Sequence, residues 1–512
     1  MIVERAQAIT DFTKEKFYTV EINYLDIKAV SARIPDKENA EITQNACNGN
    51  DAVIKRVERT KKTVLPPKLY DLTALQREAN RIFGYTAQQA LDCVQALYEK
   101  SLCTYPRTDS RYITGDMQDS IPRLAAKISA VFPPFNCLDL ASNVGQIVDD
   151  SSVNDHHAIL PTIQIADCNL DALPSAERNI LTMIAARLLC AIGEKHVYNE
   201  TVITIDCGGS EFKGKSKTVV SDGWKAVESA YFTLLKENFS KEQDENNQSL
   251  SELSEGQTFT KVAAAVNEGA TSPPKYFTED SLLAAMESAG AGDKVNCTEG
   301  ARESGLGHLP NDAERKGLGT PATRAGIIEK LIKSGFVERR KKNLIPTDKA
   351  KNLITILPDT LKSPSLTAEW EQKLKLIERG ELTADGFIAE IAEMVRALIK
   401  GHTKPNAELR SLFAPVPKGD VIGMCPRCGG AVREGNKGFF CDNHTCGFKM
   451  WKESKFWMMK RKPLTAAIAA VLLKDGRIAL KNLYSEKTGK SYDATVILDD
   501  SGDGYVNFML EF

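Results

Sequence analysis

Long hydrophobic runs are missing from this 512-residue chain. Its longest apolar stretch, residues 464–473 with Thr465 inside it, is too short to cross a bilayer as a helix, which takes about 20 residues. An excess of either charge is missing too, since 66 basic and 68 acidic side chains leave a net −2. That excludes a uniformly basic nucleic-acid coat protein, but not local basic tracks. Met1 leads into Ile2, Val3, Glu4 and Arg5, which is no secretory signal. Cysteine is sparse and uneven: eight of twelve stand alone and four cluster near the C-terminus. This fits a reduced compartment with one metal site and argues against a disulfide framework. What is present is ordinary. Hydrophobic residues at 42% and charged residues at 26% suffice for several cores, and the length predicts three or four domains.

Along the chain, helix and strand patterns are interleaved. Residues 1–64 read as short strands, clearest at 17–24 (FYTVEINY), with 36–52 as a polar loop. Pro66 and Pro67 mark a boundary. Thr73 with Gln76, and Thr86 with Gln89, have capping-box spacing, and they predict two helices separated near Gly84. Residues 175–192 read as a core helix, and 197–205 and 258–266 as strands. Six acids against two lysines make 236–256 a solvated loop. Thr278 is a predicted N-cap, and helices follow at about 322–334 and 366–379. Pro405, Pro415 and Pro417 mark a linker, and strands are expected at 495–498 and 505–512.

Four segments could carry chemistry. In 101–112 (SLCTYPRTDSRY), Pro106 biases Tyr105 towards an extended backbone, which presents the phenol from a loop. A tyrosine is a poor nucleophile at its free pKa of about 10, and needs a nearby cation and a phosphate-like electrophile. Arg107 and Arg111 could supply planar donors to a phosphodiester. In 155–162 (DHHAILPT), His156 and His157 could be metal ligands, phosphate binders or decoration at a helix start. In 316–350, nine basic residues face three acids. Gly317, Gly319 and Thr320 precede Pro321 at a helix start, whose free amides favour a phosphate. Arg339, Arg340, Lys341 and Lys342 then suggest the basic hairpin of a winged helix. Lastly Cys425-x2-Cys428-x12-Cys441-x4-Cys446 suits a tetrahedral thiolate Zn²⁺ site, with His444 inside the second pair. Beyond it, 449–462 carries six bases and three aromatics, a mixture suited to single-stranded nucleic acid.

In this order, LPPKLYDLTALQREANRIFG, YEKSLCTYPRTDSRYI, DHHAILPT, FTEDSLLAAMESAG, GLGTPATRAGIIEKL and LTAEWEQKL resemble the motifs of type IA DNA topoisomerases, especially bacterial topoisomerase III. The resemblance covers nearly the whole chain. It implies a multidomain α+β toroid: 1–64 starts the chain and a β-rich arch, 65–199 is a helical domain with the active-site tyrosine, and 200–275 completes the arch. Residues 276–400 would be a helical DNA-binding base, 401–419 a linker, 420–460 a zinc ribbon and 461–512 a small C-terminal α/β module.

The resemblance also implies an ATP-independent reaction. Tyr105 attacks one DNA strand, a 5′-phosphotyrosyl link forms, the other strand passes and the break is resealed. Arg107 would stabilise the pentacovalent transition state and Asp109 would orient its loop. Arg111 would support DNA binding. A histidine of the His156-His157 pair would touch the DNA backbone, with His156 the better positional match. Thr320, Thr323 and Arg324 would line the single-strand groove. Such enzymes carry Mg²⁺ on an acidic Toprim domain that precedes this region, and its ligands are not found here: Asp499, Asp500 and Asp503 do not match them. The chain is therefore expected to be a truncated or split form, inactive without Toprim and paired with a separate Toprim-containing chain. The competing expectation is a non-catalytic single-stranded DNA-binding fragment. The expected cofactor of the chain itself is Zn²⁺. The expected partner is single-stranded DNA within negatively supercoiled duplex, and the expected location is the bacterial cytoplasm, at the nucleoid.

Overall fold

The structure is a computed structural model of the chain that describes residues 1–136, 143–235, 250, 252–289, 317–401, 419–443, 446–500, 502 and 506–512. They form two compact units, Met1–Thr403 and Lys404–Phe512. Among the described residues no helix is long and apolar enough to cross a membrane.

The first unit opens with α1 (Ile2–Thr10), then β1 (Lys16–Tyr24), β2 (Ile27–Ser31), α2 (Lys37–Cys47) and β3 (Ala52–Val64). Two helices therefore stand where strands and a loop are expected. Asp36 is the reason for α2: its carboxylate accepts the Asn39 N–H at 2.8 Å, and Ala40 and Cys47 bury one face on the sheet. Further on come β4 (His196–Cys207), β5 (Ser210–Ser221), β6 (Thr258–Phe259) and β7 (Ala263–Ala270). The two strand-rich segments join one antiparallel sheet, in the order β6-β3-β4-β5-β2-β1-β7. Val20, Ile22, Ile54, Ile203, Ile205 and Phe212 fill its core. Leu250 and Leu253 bury there too, so the acidic stretch is not wholly solvated. The part of it at 236–249 and 251 lies outside the described residues.

Between β3 and β4 the chain leaves the sheet and returns beside its exit, with Val64 paired to His196. The helices in that excursion are α3 (Leu72–Phe83), α4 (Ala87–Glu99), α5 (Ile121–Val131), α6 (Pro133–Asn136) and α7 (Ser175–Ala191), and α8 (Lys225–Leu234) packs on them after β5. Every residue of α7 from Ile180 on is buried, so the other helices wrap it. The α3 cap is Asp71, not Thr73: its side chain accepts the Ala74 N–H at 2.6 Å. Thr73 and Gln76 lie inside the helix and are buried. The Thr86–Gln89 capping box forms as the spacing predicts, and Gly84 ends α3 at φ 72°.

The rest of the unit holds α9 (Glu279–Glu287), α10 (Pro321–Lys333), the hairpin β8 (Val337–Arg340) and β9 (Asn343–Pro346), α11 (Asp348–Ile356), α12 (Asp359–Lys362), α13 (Pro364–Glu378) and α14 (Ala384–Gly401). Leu282, Leu283, Met286, Ile328, Val337 and Leu344 form its core, and Met1 and Ile2 of α1 pack there.

The second unit pairs β10 (Val421–Met424), β11 (Ala431–Glu434), β12 (Gly438–Cys441) and β13 (Lys449–Trp451) in one sheet. A second sheet holds β14 (Arg477–Tyr484), β15 (Ser491–Asp499) and β16 (Asn507–Glu511). One hydrophobic core, with Val432, Phe439, Met450, Trp457, Leu472 and Val496, runs through both sheets. Trp457 is thus a core residue and no open stacking platform, and Phe456 packs on it with ring centroids 5.1 Å apart. Arg427 adds a fork of hydrogen bonds to Asp500 at 2.5–2.9 Å.

Candidate active site and metal centre

The tyrosine loop is made by the way α4 ends. The Ser101 N–H donates to the Tyr98 carbonyl at 2.8 Å and the Leu102 N–H to the Leu97 carbonyl at 2.9 Å, a Schellman motif with Ser101 at φ 59°. The motif turns the chain out of the helix into an irregular run over 102–112, bent at Pro106 and Arg107. That run pairs with the histidine segment. The Thr104 N–H donates to the Leu160 carbonyl at 2.9 Å and the Thr162 N–H to the Leu102 carbonyl at 3.0 Å. The Thr104 hydroxyl donates to the Ala158 carbonyl at 3.0 Å and accepts the Leu160 N–H at 2.9 Å. The Thr108 hydroxyl donates to the His156 carbonyl, and the Ala158 N–H donates to the Tyr112 carbonyl. Tyr105 is therefore clamped on both sides by residues 156–162, with its own ring half-buried.

His156 meets the Tyr105 ring at 4.3 Å between centroids, and Tyr98 meets it edge-on at 5.5 Å. His157 turns away: its Nδ1 lies 2.8 Å from the Ala158 carbonyl, which can only accept, so that nitrogen carries the proton. Arg107 and Asp109 are exposed. Among the described residues no ion pair holds the Arg107 guanidinium. A cation open to solvent two residues from a clamped phenol can meet a phosphate without first breaking a bond.

Arg111 is placed differently. Its Nε donates to Asp71 at 2.6 Å, where Asp71 is fully buried, and its Nη2 lies 3.3 Å from Glu287. Burial works against the charge of Arg111, but Asp71 and Glu287 outweigh it and raise its pKa. Arg324 is also buried: its Nη1 donates to the Thr73 hydroxyl at 3.0 Å and its Nε to the Leu318 carbonyl at 3.2 Å. Thr320 and Thr323 are exposed at the start of α10, where the Thr320 N–H donates to the Thr323 hydroxyl at 2.9 Å. In the hairpin, Arg339 is held by Glu279 and Glu329, at 2.6 and 2.5 Å. Among the described residues Arg340 pairs with the exposed Glu338, Lys341 forms the turn at φ 57°, and the Lys342 ammonium donates to the Arg81 carbonyl. Sequence reasoning missed Tyr98, Asp71 and Glu287. The helical spacing of Leu91, Val94, Leu97 and Tyr98 marks Tyr98 only as an apolar-face residue, and nothing local marks the two acids.

The four clustered cysteines converge. All four sulfurs lie within 4.8 Å of one another, with Cys425–Cys446 at 3.6 Å and Cys428–Cys441 at 3.4 Å. Tetrahedral Zn²⁺ with bonds of about 2.3 Å sets sulfurs about 3.8 Å apart, while a disulfide needs about 2.0 Å. The geometry suits Zn²⁺. The backbone at Gly430 pulls the Cys428 thiol down to about 7, and burial pushes Cys441 up to about 12. His444 lies outside the described residues. Among the described residues these cysteines are the one group of three or more His, Cys, Asp or Glu close enough to hold an ion. Mg²⁺ takes carboxylate and water oxygens, not thiolates, so the described residues do not fit a Mg²⁺ site of that kind.

A family model described as DNA topoisomerase matches residues 1–389. The chain belongs to that family, the type IA DNA topoisomerases. It is 34% identical over 477 residues to DNA topoisomerase 3 of Bacillus licheniformis, covering 88% of this chain and 61% of that protein. DNA topoisomerase 3 of Bacillus subtilis is 33% identical over 465 residues, with coverages of 87% and 61%. The chain thus spans about three fifths of the length of these curated relatives. Full-length topoisomerase I from Thermotoga maritima has a similar fold, with a TM-score of 0.57 at 21% identity, over 88% of this chain and 68% of that one.

Proposed function

We propose that this chain cleaves and rejoins one DNA strand through Tyr105, changing DNA topology without ATP. The observation that carries the reading is the tilted Tyr105–His156 ring contact, 4.3 Å between centroids, inside the clamp between residues 102–112 and 156–162. The Tyr105 oxygen attacks the scissile phosphorus as its phenol proton passes to solvent water. An O–P bond forms, the P–O3′ bond breaks, and the 3′ oxygen takes up a proton. The retained phosphotyrosyl bond drives resealing, so no nucleotide is consumed. Arg107 reaches the phosphoryl oxygens as their charge rises. His156 packs on the attacking ring and, exposed, faces the strand. Thr320 and Thr323 offer exposed hydroxyls at the start of α10, where the helix dipole favours a phosphate. The sheet containing both strand-rich segments is the proposed arch, and the 65–199 helices carry the nucleophile. A Zn²⁺ on Cys425, Cys428, Cys441 and Cys446 is structural, since four protein ligands leave no open position.

The acid that protonates the leaving 3′ oxygen and the Mg²⁺ carboxylates belong to a Toprim partner in this proposal. The lack of a carboxylate cluster among the described residues also favours a second reading, a single-stranded DNA-binding fragment without catalysis. Relaxation of negatively supercoiled plasmid separates the two. Chain alone should relax nothing, and chain plus a Toprim fragment should relax plasmid in Mg²⁺. No activity with any Toprim fragment would favour the binding fragment, and robust relaxation by the chain alone would overturn the need for a partner.

A further inference from the structure

Contacts around the tyrosine loop close into a circuit. It starts at the first turn of α3, where Asp71 holds Arg111 at 2.6 Å and the Leu72 N–H donates to the Thr108 carbonyl at 3.1 Å. Arg111 continues to Glu287, at the end of α9. Next to Glu287, the Met286 carbonyl accepts the Leu318 N–H at 2.8 Å, and Gly317 packs so tightly that a Cβ would sit 2.9 Å from the Met286 oxygen and 3.0 Å from the Glu287 oxygen. The Leu318 carbonyl accepts from Arg324, and Arg324 returns to Thr73, two residues from Asp71. The segment before α10 and the loop that carries Tyr105 are thus joined through one acid on one side and one arginine on the other.

The arms of this circuit are not equally tight. Charge-assisted N–H···O bonds close at about 2.7–2.9 Å. Asp71–Arg111 is closed, whereas Glu287 lies 3.3 Å from Arg111 and 4.0 Å from Arg77, whose other partner is Asp280 at 2.9 Å. Glu287 is shared between two arginines, through one long hydrogen bond from Arg111 and a looser ion pair with Arg77, with 13% of its side chain exposed. A small shift of α9 would tighten or release it.

We infer that Glu287 is a positioning residue: it couples strand binding at the start of α10 to the placement of the Tyr105 loop. The inference rests on the proposed strand binding at Thr320 and Thr323. A phosphate there draws residues 317–320 together, the Leu318–Met286 bond moves the end of α9, and Glu287 closes on Arg111. Strand binding then rigidifies the nucleophile loop, and by reciprocity a rigid loop binds the strand more tightly.

The test needs no catalysis. The full chain is titrated with a fluorescent single-stranded oligonucleotide, and amide hydrogen exchange of 101–113 is measured with and without it. In the native chain the oligonucleotide should slow exchange in 101–113 by about fivefold or more, the lower end of ordinary coupling. Glu287→Gln keeps the shape and removes the charge. It should still bind, but the oligonucleotide-dependent slowing should shrink to within about twofold, while Glu287→Asp restores part of it. A merely structural role would raise exchange in the free chain and leave the response to oligonucleotide intact, and that result overturns the inference. Failure of the native chain to bind the oligonucleotide would instead overturn the strand-binding reading and this inference with it.

Discussion

The basic hairpin gives a quantitative test of where the DNA backbone lies. Four cations stand in a row at 339–342, but their surroundings divide them. Arg339 is engaged by Glu279 and Glu329, and Lys342 by the Arg81 carbonyl. Arg340, whose ion-pair partner among the described residues is the exposed Glu338, and Lys341, at the turn, are the cations offered to phosphate. Each phosphate contact to a single strand contributes about 0.7 to the slope of log affinity against log salt. Arg340→Gln with Lys341→Gln should therefore flatten the slope by about 1.4. From about 50 to 200 mM salt that is an affinity loss about sevenfold smaller than in the native chain. Fluorescence anisotropy of a labelled oligonucleotide reads it directly. Arg339→Gln should leave the slope alone and cost about 2 kcal/mol of stability, because the buried Glu279 loses its counter-charge. An unchanged slope in the double variant, or a flattened one in Arg339→Gln, would refute this division.

Other outcomes follow from the same contacts. Purified chain should hold one Zn²⁺, and chelation should melt the Lys404–Phe512 unit while the Met1–Thr403 unit keeps its own transition; a zinc content near zero from metal-replete medium contradicts the cysteine site. Asp71→Ala removes an N-cap and leaves Arg111 without its closest acid, so unfolding should become easier by about 3–5 kcal/mol in denaturant titration. Ser101→Gly relieves a left-handed serine and should stabilise the fold by roughly 0.5–1 kcal/mol without changing oligonucleotide affinity; destabilisation would show that the Ser101 side chain matters more than its backbone.

Local signals in the sequence were the most legible. The Thr86–Gln89 box, the end of α3 at Gly84, α7 and the strands at 17–24 and 197–205 stand where the sequence places them, because each is decided within a few residues, whereas the strand expected over 258–266 is split between β6 and β7. Helix α2 was hidden by its polarity: only Ala40 and Cys47 are buried, and Asp36 is its signal. The Thr73–Gln76 spacing misplaced a cap because Asp71 offers a carboxylate two residues earlier. At the candidate site, the motifs singled out Tyr105, the histidines and the cysteines, and the structure brings Tyr105 to His156 and the four sulfurs together. The arginines were the illegible part. Arg111, Arg324 and Arg339 look like open cations in the sequence, yet each is bound inside the fold. The partners of Arg111 and Arg324 lie far away in the chain, at Asp71, Glu287 and Thr73, and no local spacing announces them. Trp457 shows the same limit, since an aromatic among lysines reads as a stacking platform until its core is known.

The most direct measurement of the central claim is the site of covalent attachment. The chain, a Toprim fragment and a single-stranded oligonucleotide would be mixed with Mg²⁺, denatured and digested, and the modified peptide sequenced by mass spectrometry. The account predicts a 5′-phosphodeoxynucleotide on Tyr105, absent without the Toprim fragment and absent in Tyr105→Phe. Attachment at any other residue, or an adduct that persists in Tyr105→Phe, would contradict it.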